Sequence, residues 1–125
     1  MTAAPPRILY VDDEPTLVSL VTRALEKLGI AAKGFASTDE ALAAFGSEPQ
    51  AFRLVLTDLS MPGMSGIELA EAVLAIRPDT DIVIASGCID PAEARRAAQV
   101  GVRTVIQKPA TVAEMAQLVS GLLRD

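Results

Sequence analysis

Four short apolar runs of this 125-residue sequence are followed by residues that could do chemistry. These residues are an acidic pair, a third aspartate, a serine and a lysine: Asp12, Asp13, Asp58, Ser86 and Lys108. Carboxylate oxygens are the ligands that Mg²⁺ and other hard cations prefer. An aspartate can attack phosphorus while a metal ion and a lysine neutralise the phosphoryl oxygens, and a serine can hydrogen-bond one of them. The set therefore indicates magnesium-dependent phosphoryl chemistry.

Each of these residues has a simpler explanation when it is taken alone. The acidic pair suits the start of a helix. Asp58 and Ser86 suit turns, and Lys108 before Pro109 suits an exposed strand end. The coincidence of all of them at strand ends favours one shared site.

The sequence has no histidine, which excludes Ser-His-Asp and Cys-His catalysis and most zinc sites. Any phosphohistidine donor must therefore be another molecule or domain.

Strands and helices alternate in the predicted secondary structure. Short apolar runs predict strands at residues 8–11, 30–36, 54–56, 82–85 and 102–107. Apolar residues at helical spacing predict a helix after each strand, with start or stop signals at Gly29, Ser37 with Glu40, Ser65 with Glu68, Asp90 with Pro91, Gly101, and Thr111 with Glu114. This alternation predicts a parallel five-stranded sheet between two layers of helices.

Right-handed crossovers leave few topologies, and the one that fits is a flavodoxin-like (βα)5 three-layer sandwich with strand order 2-1-3-4-5. A Rossmann domain is the rival, but the acidic run after the first strand has no G-x-G-x-x-G motif and would repel a pyrophosphate. In open parallel sheets, sites lie where the strand order reverses, here between the first and third strands. We therefore expect Asp12, Asp13 and Asp58 to meet there, with Mg²⁺ and Lys108 offsetting their repulsion.

The composition limits the partners and the compartment. A net charge of −5 gives no evident attraction for nucleic acid or an anionic membrane. No window approaches the roughly 20 apolar residues that span a bilayer, and residues 1–7 lack the features of a secretory signal. The single cysteine, Cys88, excludes an internal disulfide and indicates a reducing compartment, which predicts a cytoplasmic location.

Taken together, the motifs resemble the response regulator receiver family of two-component systems. The matching residues are Asp12-Asp13, the run Thr57-Asp58-Leu59-Ser60-Met61-Pro62-Gly63-Met64-Ser65-Gly66, Ser86-Gly87 and Lys108-Pro109. The Asp-x-x-Met-Pro-x-Met-x-Gly pattern within this run is highly specific. The resemblance extends from about residue 7 to residue 123, so residues 1–125 are expected to be one receiver domain.

The resemblance implies a phosphorylation site that contains a metal ion. Asp58 would be the phosphoacceptor, and Asp13 and Asp58 would bind Mg²⁺ through their side chains. Asp12 would act mainly through water, and the backbone carbonyl of Ser60 would complete the protein ligands. The domain would be no enzyme beyond catalysing its own phosphorylation and dephosphorylation.

The resemblance also implies how the phosphoryl group is sensed. Ser86 would be the switch hydroxyl, and Lys108 would contact the phosphoryl group, with a cis peptide bond to Pro109. Two positions depart from the family pattern. Val105 stands where a switch Tyr or Phe is usual, so no aromatic ring can swing inward, and Ala110 stands where Phe is common. These departures make the output surface differ from the family's usual one without affecting phosphorylation.

The partners implied are a histidine kinase or a histidine phosphotransfer domain, and a downstream protein bound by the face of the fourth helix, fifth strand and fifth helix. Neither direct nucleic-acid binding nor membrane insertion is expected, and formation of a homodimer is left open. The sequence ends directly after the last helix, which fits a stand-alone regulator, a receiver from a longer regulator or the terminal receiver of a hybrid histidine kinase. The residues around Asp58 look especially similar to those of hybrid kinases.

Two other classes of protein stay open at this point. A magnesium-dependent phosphatase of the haloacid dehalogenase type also uses an aspartate at a strand end, but it needs a second aspartate two residues later, where this chain has Ser60. A binding module that is never phosphorylated would lack the acceptor, the acidic pair or the lysine, and all of these are present.

Overall fold

The structure, a computed structural model, describes residues 8–124. The interpretation of residues 1–7 as lacking a secretory signal, and the expected start of the domain core at Arg7, lie outside the described residues. Within them, five strands alternate with five helices: β1 (Ile8–Val11), α1 (Pro15–Lys27), β2 (Ala32–Phe35), α2 (Thr38–Ser47), β3 (Leu54–Asp58), α3 (Gly66–Ile76), β4 (Asp81–Ser86), α4 (Pro91–Val100), β5 (Thr104–Gln107) and α5 (Val112–Arg124). A short 3-10 turn at Pro49–Ala51, which the sequence did not predict, precedes β3.

The strands form one parallel sheet in the order β2-β1-β3-β4-β5, so the predicted flavodoxin-like topology is confirmed. Val11 of β1 pairs with Thr57 of β3, which sets Asp12 and Asp58 side by side just beyond this pair. Ser86 of β4 pairs with Gln107 of β5, and Lys108 follows. The register therefore brings the polar residues that end or directly follow four strands to one edge of the sheet, at the carboxyl ends of the strands.

Each face of the sheet is covered by its own group of helices. One core cluster joins Ile8, Tyr10 and Leu56 to buried residues of α1 and α5. The other joins Leu9, Val11 and neighbouring strand residues to buried residues of α2, α3 and α4. Because successive side chains of a strand point to opposite faces, every second residue of a strand packs against the same layer of helices. The expected three-layer sandwich is thus present.

Two predicted strands begin later than expected, and the same feature explains both. The amide of Ile30 bonds back to the carbonyl of Leu25, and the amide of Val102 bonds back to the carbonyl of Ala97. The glycines before them, Gly29 and Gly101, have positive φ, which turns the chain so that it closes the helix end. Since these amides are used by the helices, β2 and β5 begin only after them.

The helix starts are set by side chains that the sequence identifies. Ser65 and Glu68 form a complete capping box at the start of α3. Asp90 accepts the Ala92 amide at the start of α4. Ser37 accepts the Glu40 amide at 3.3 Å, which is the serine half of the predicted box. These caps satisfy amides that have no partner within the helix.

One expectation about the backbone is wrong. No peptide bond in residues 8–124 is cis, so the bond between Lys108 and Pro109 is trans. The trans form is the lower in energy for most bonds before proline, by about 0.5–1 kcal/mol. The sequence pair alone therefore does not determine the cis form.

Among the described helices, none combines the length and the apolarity that crossing a membrane requires.

Candidate functional site

Three carboxylates converge where the strand order reverses. Asp12, Asp13 and Asp58 each offer one carboxylate oxygen, and these oxygens all lie within 4.8 Å of one another. Asp12 is fully buried, Asp58 is partly buried and Asp13 is exposed. The expected meeting of the three aspartates is therefore present. Had Asp58 pointed into the core or lain far from the pair, phosphoryl chemistry would have had no basis.

Asp12 is held by bonds to both of its carboxylate oxygens. Its Oδ2 accepts a hydrogen bond from the Tyr10 hydroxyl at 3.0 Å and another from Lys108 Nζ at 3.1 Å. Its Oδ1 accepts the backbone amide of Glu14 at 3.1 Å. A buried carboxylate needs such donors because burial removes its hydration. The orientation of Asp12 is consequently fixed by its neighbours.

Lys108 joins two of the aspartates. Its ammonium lies 3.1 Å from Asp12 Oδ2 and 3.4 Å from Asp58 Oδ1. Burial tends to lower the pKa of Lys108, but the hydrogen bond and charge of Asp12, and then those of Asp58, outweigh burial and raise this pKa above its ordinary value. The lysine is therefore a permanent positive charge beside Asp58.

Oδ1 of Asp58 accepts a hydrogen bond from the backbone amide of the next residue, Leu59, at 2.9 Å. Burial raises the pKa of its carboxyl above the ordinary value, and the charge of Asp12 adds to this rise, while the charge and hydrogen bond of Lys108 and the Leu59 amide act against it. Like charges this close need a compensating cation. Lys108 supplies one positive charge against three carboxylates, which leaves a net negative pocket.

The donor set of this pocket fits a hard divalent cation. All three side chains offer oxygen, and an oxygen-only set suits Mg²⁺ or Ca²⁺ rather than zinc or copper. The carboxylate of Asp13 makes no hydrogen bond within residues 8–124, and its exposure leaves it able to turn toward an ion. Ser60, the fourth ligand expected, is exposed and lies two residues beyond Asp58.

Ser86 lies at this edge of the sheet but is turned to its own loop. Its Oγ donates to the carbonyl of Cys88 at 2.7 Å and accepts the Cys88 amide at 3.2 Å. Strand alternation puts Ser86 with Ile82 and Ile84 on the side of α2, α3 and α4. Asp58 shares the parity of Leu56, which faces α1 and α5. Ser86 thus directly follows Ala85, the register partner of Asp58, and is not bonded to the carboxylates in this arrangement.

Two supporting residues have roles that the sequence patterns did not predict. Tyr10 was assigned only to an apolar strand, although its position two residues before Asp12 predicts that both share a face. Gly66 allows the chain after β3 to return close to the site, where its amide donates to the Leu59 carbonyl at 2.8 Å. A Cβ at Gly66 would collide with the Asp58 carbonyl oxygen. The first could have been found from strand periodicity, whereas the second depends on tertiary structure.

Comparisons with known proteins agree on one family. The sequence model of the "Response regulator receiver domain" family matches residues 8–120. The chain is 35% identical over 112 residues to the probable chemotaxis protein CheY of Rhizobium etli, covering 87% of this chain and 85% of that protein. It is 31% identical over 124 residues to the sensor histidine kinase GacS of Pseudomonas protegens, covering 95% of this chain.

The matched region is often a small part of the relative. The chain spans 13% of GacS and less than a quarter of the length of several other curated relatives. Among solved structures, it resembles a response regulator protein from Burkholderia pseudomallei with a phosphorylated aspartic acid, calcium ion and citrate. That similarity has a TM-score of 0.77 and 27% identity, and covers 94% of this chain and 72% of the other.

Proposed function

Because the chain belongs to the response regulator receiver family of two-component systems, we propose that Asp58 is its phosphoacceptor. The observation that carries this proposal is the charge arrangement around Asp58. Oxygens of Asp12 and Asp13 lie within 4.8 Å of an Asp58 oxygen, and the Lys108 ammonium lies 3.4 Å from Oδ1. The phosphorylated aspartate in the related Burkholderia protein supports the same assignment.

The proposed reaction is a displacement at phosphorus. A carboxylate oxygen of Asp58 bonds to phosphorus while the phosphorus–nitrogen bond of a partner's phosphohistidine breaks, and the bonding electron pair returns to the imidazole. Lys108 stabilises the negative charge of the phosphoryl oxygens. Asp12 holds Lys108 in position through their ion pair at 3.1 Å.

The acidic pocket is proposed to hold Mg²⁺ through Asp13, Asp58 and the backbone carbonyl of Ser60, with Asp12 acting mainly through water. When bound, the ion supplies positive charge that neutralises the carboxylates and the phosphoryl oxygens. The oxygen-only donor set supports this choice of metal. The calcium ion in the related Burkholderia structure is consistent with a hard-cation site.

Ser86 is proposed as the hydroxyl that hydrogen-bonds a phosphoryl oxygen after transfer. The product adds about −1.5 to −2 charge at neutral pH, so a hydroxyl donor nearby gains a stronger acceptor than the Cys88 carbonyl. A shift of Ser86 and of the segment after Lys108 would then alter the face of α4, β5 and α5. That face is proposed to bind the downstream protein. It carries Val105 at the position where the family usually has an aromatic residue.

The donor is proposed to be a histidine kinase or a histidine phosphotransfer domain, since members of this family act with such partners. We propose that residues 1–125 work as one receiver domain that modifies only itself. The similarity to GacS supports an origin in a hybrid histidine kinase. A stand-alone regulator is equally compatible with the coverage of CheY. A cytoplasmic location stays a prediction from the sequence, which leaves formation of a homodimer open.

Phosphorylation of the purified chain by acetyl phosphate tests the assignment. With Mg²⁺ present, we expect one phosphoryl group, located at Asp58 by peptide mass spectrometry. Asp58→Asn should abolish this labelling. Asp81→Asn, which removes an exposed aspartate at the opposite end of β4, should leave it unchanged. Stoichiometric labelling of Asp58→Asn would refute the proposal.

The same experiment separates the rival functions. A phosphatase of the haloacid dehalogenase type would turn over small phosphate esters with repeated release of phosphate, while Ser60 in place of the second aspartate argues against it. A module that is never phosphorylated would remain unlabelled by every donor. The presence of acceptor, acidic pair and lysine in one pocket favours the receiver function over both.

A further inference from the structure

The loop between β4 and α4 is held by side-chain contacts at two successive residues. Ser86 bonds both the carbonyl and the amide of Cys88. The side-chain amide of Gln107, at the end of β5, donates to the carbonyl of Gly87. The second contact joins β5 to the loop that carries Ser86. Neither contact uses a residue of the acidic pocket.

The position of Gln107 in the sheet makes this contact specific to one face. Gln107 is opposite Ser86 in the β4–β5 register, and the Lys108 amide continues the ladder by bonding to the Ser86 carbonyl at 2.8 Å. Gln107 shares the parity of Val105, which packs against the layer of α2, α3 and α4. Gln107 therefore lies on the side of Ser86, whereas Lys108 lies on the side of Asp58.

The hydrogen-bonding capacity of Ser86 gives the contact a consequence. A serine hydroxyl has one proton to donate, and here that proton is given to the Cys88 carbonyl at 2.7 Å. To donate to a phosphoryl oxygen on Asp58, Ser86 must give up this bond, and the loop must adjust. A loop whose Gly87 carbonyl is fixed to β5 resists that adjustment. Gly87 itself adds no steric restraint, since a Cβ there would meet no atom within 4 Å.

We propose that Gln107 is a positioning residue that holds the β4–α4 loop in the state where Ser86 is bonded to Cys88. The hydrogen bond from Gln107 to the Gly87 carbonyl, called the tether below, sets how readily the domain takes up a phosphoryl group. The tether also couples the loop to β5 at the residue before Lys108. This inference rests on the proposed roles of Asp58 and Ser86. In this proposal Gln107 restrains the loop through its hydrogen bond to Gly87. Val105, two residues earlier on the same face of β5, has an apolar side chain and cannot form such a bond.

The test compares Gln107→Met, which removes the donor but keeps the length, with Gln50→Met, an exposed glutamine in the turn before β3. Two quantities are measured: hydrogen exchange of the Cys88 amide in the unphosphorylated protein, and the rate of Asp58 labelling by acetyl phosphate with Mg²⁺. Because the loss of one hydrogen bond of ordinary strength changes an equilibrium by about two- to tenfold, we expect both rates to rise by about that factor in Gln107→Met. Gln50→Met should match the wild type.

The outcomes separate this inference from the proposed function. Unchanged exchange and labelling in Gln107→Met would overturn the tether, while normal labelling of the wild type would leave the role of Asp58 intact. Faster exchange with unchanged or slower labelling would overturn the link to phosphoryl uptake. If the wild type is not labelled at all, the assignment of Asp58 fails, and the inference fails with it, whatever the exchange rates show.

Discussion

The hydroxyl of Tyr10 donates a hydrogen bond to Oδ2 of Asp12 over 3.0 Å, beneath the acidic pocket. The same oxygen accepts a bond from Lys108. Tyr10 is 1% exposed and Asp12 is fully buried, so the phenol side of Asp12 lies inside the core, away from bulk solvent. The tyrosine therefore belongs to the support of the site, although it cannot itself reach a ligand from inside the core.

Removal of this hydroxyl should destabilise the fold. Tyr10→Phe leaves a buried carboxylate with one donor fewer, and hydrogen bonds to charged groups are worth about 1.5–3 kcal/mol. We expect the free energy of unfolding, measured by urea denaturation, to fall by about that amount. In an Asp12→Asn background the same change should have a smaller effect. Equal effects in both backgrounds would show that the bond to Asp12 is not the cause.

The ionisation of Tyr10 should link stability to alkaline pH. Burial, followed by the charge and hydrogen bond of Asp12, raises the pKa of Tyr10 well above its ordinary value of about 10. The unfolded chain therefore loses the phenol proton above about pH 10 while the folded protein keeps it. The unfolded state then binds fewer protons, so stability falls as pH rises above 10.

Ultraviolet absorption measures this directly because Tyr10 is the only tyrosine and the chain has no tryptophan. We expect tyrosinate absorption to appear together with loss of the circular dichroism signal, not before it. Tyr10→Phe should lose this contribution to the pH dependence of stability. A tyrosinate signal at pH 10 in fully folded protein would contradict the prediction.

Substitution of Lys108 should separate metal binding from phosphorylation. Lys108→Met removes a positive charge that would repel the metal ion. This repulsion is worth about 1 kcal/mol for each unit of charge on the ion at about 4 Å in water. Because Mg²⁺ carries two charges, we expect it to bind roughly 30-fold more tightly, which corresponds to about 2 kcal/mol, while acetyl phosphate labelling of Asp58 falls. Calorimetric titration and mass spectrometry provide the two readouts. Lys27→Met, at the exposed end of α1, is the matched control and should change neither.

Asp13 should control the stabilisation that Mg²⁺ provides. Its exposed carboxylate makes no hydrogen bond within the described residues and lies within 4.8 Å of two other carboxylates, so Asp13→Asn should raise the metal-free stability by removing like-charge repulsion. Saturation at 100 times the Kd stabilises a protein by about 2.7 kcal/mol. We expect this increment in the wild type and in Asp81→Asn, and a clear loss of it in Asp13→Asn, by thermal unfolding with and without Mg²⁺. An undiminished increment in Asp13→Asn would remove Asp13 from the ligand set.

Two glycine substitutions should have opposite signs. A Cβ at Gly66 would collide with the Asp58 carbonyl and come within 3.1 Å of the Leu59 Cα. Gly66→Ala should therefore destabilise the protein by about 1–3 kcal/mol and slow labelling of Asp58. A Cβ at Gly46, within α2, meets only the end of the Ile76 side chain at 3.8 Å. Gly46→Ala should stabilise by roughly 0.4–1 kcal/mol. Chemical denaturation of both variants tests the pair.

The topology and most of the site were predictable because they follow from period and order along the chain. The alternation of strands and helices restricts a chain to few right-handed parallel sheets. In such a sheet, residues that follow the strands share one edge. Asp12, Asp58 and Lys108 therefore had to come together once the strand order was known. The same rule of alternate faces would also have placed Tyr10 beside Asp12.

The remaining features depend on contacts between residues distant in sequence, which no local pattern encodes. The trans bond before Pro109 and the bond from Gln107 to Gly87 are settled by how the loops at the sheet edge fit together. The direction of the Ser86 hydroxyl is likewise a choice among acceptors that only the folded loop presents. The sequence alone thus determined which residues meet, since strand order and parity are carried by the pattern. Only the tertiary structure decided which partner each polar atom takes, because that depends on distances of a few ångströms between separate loops.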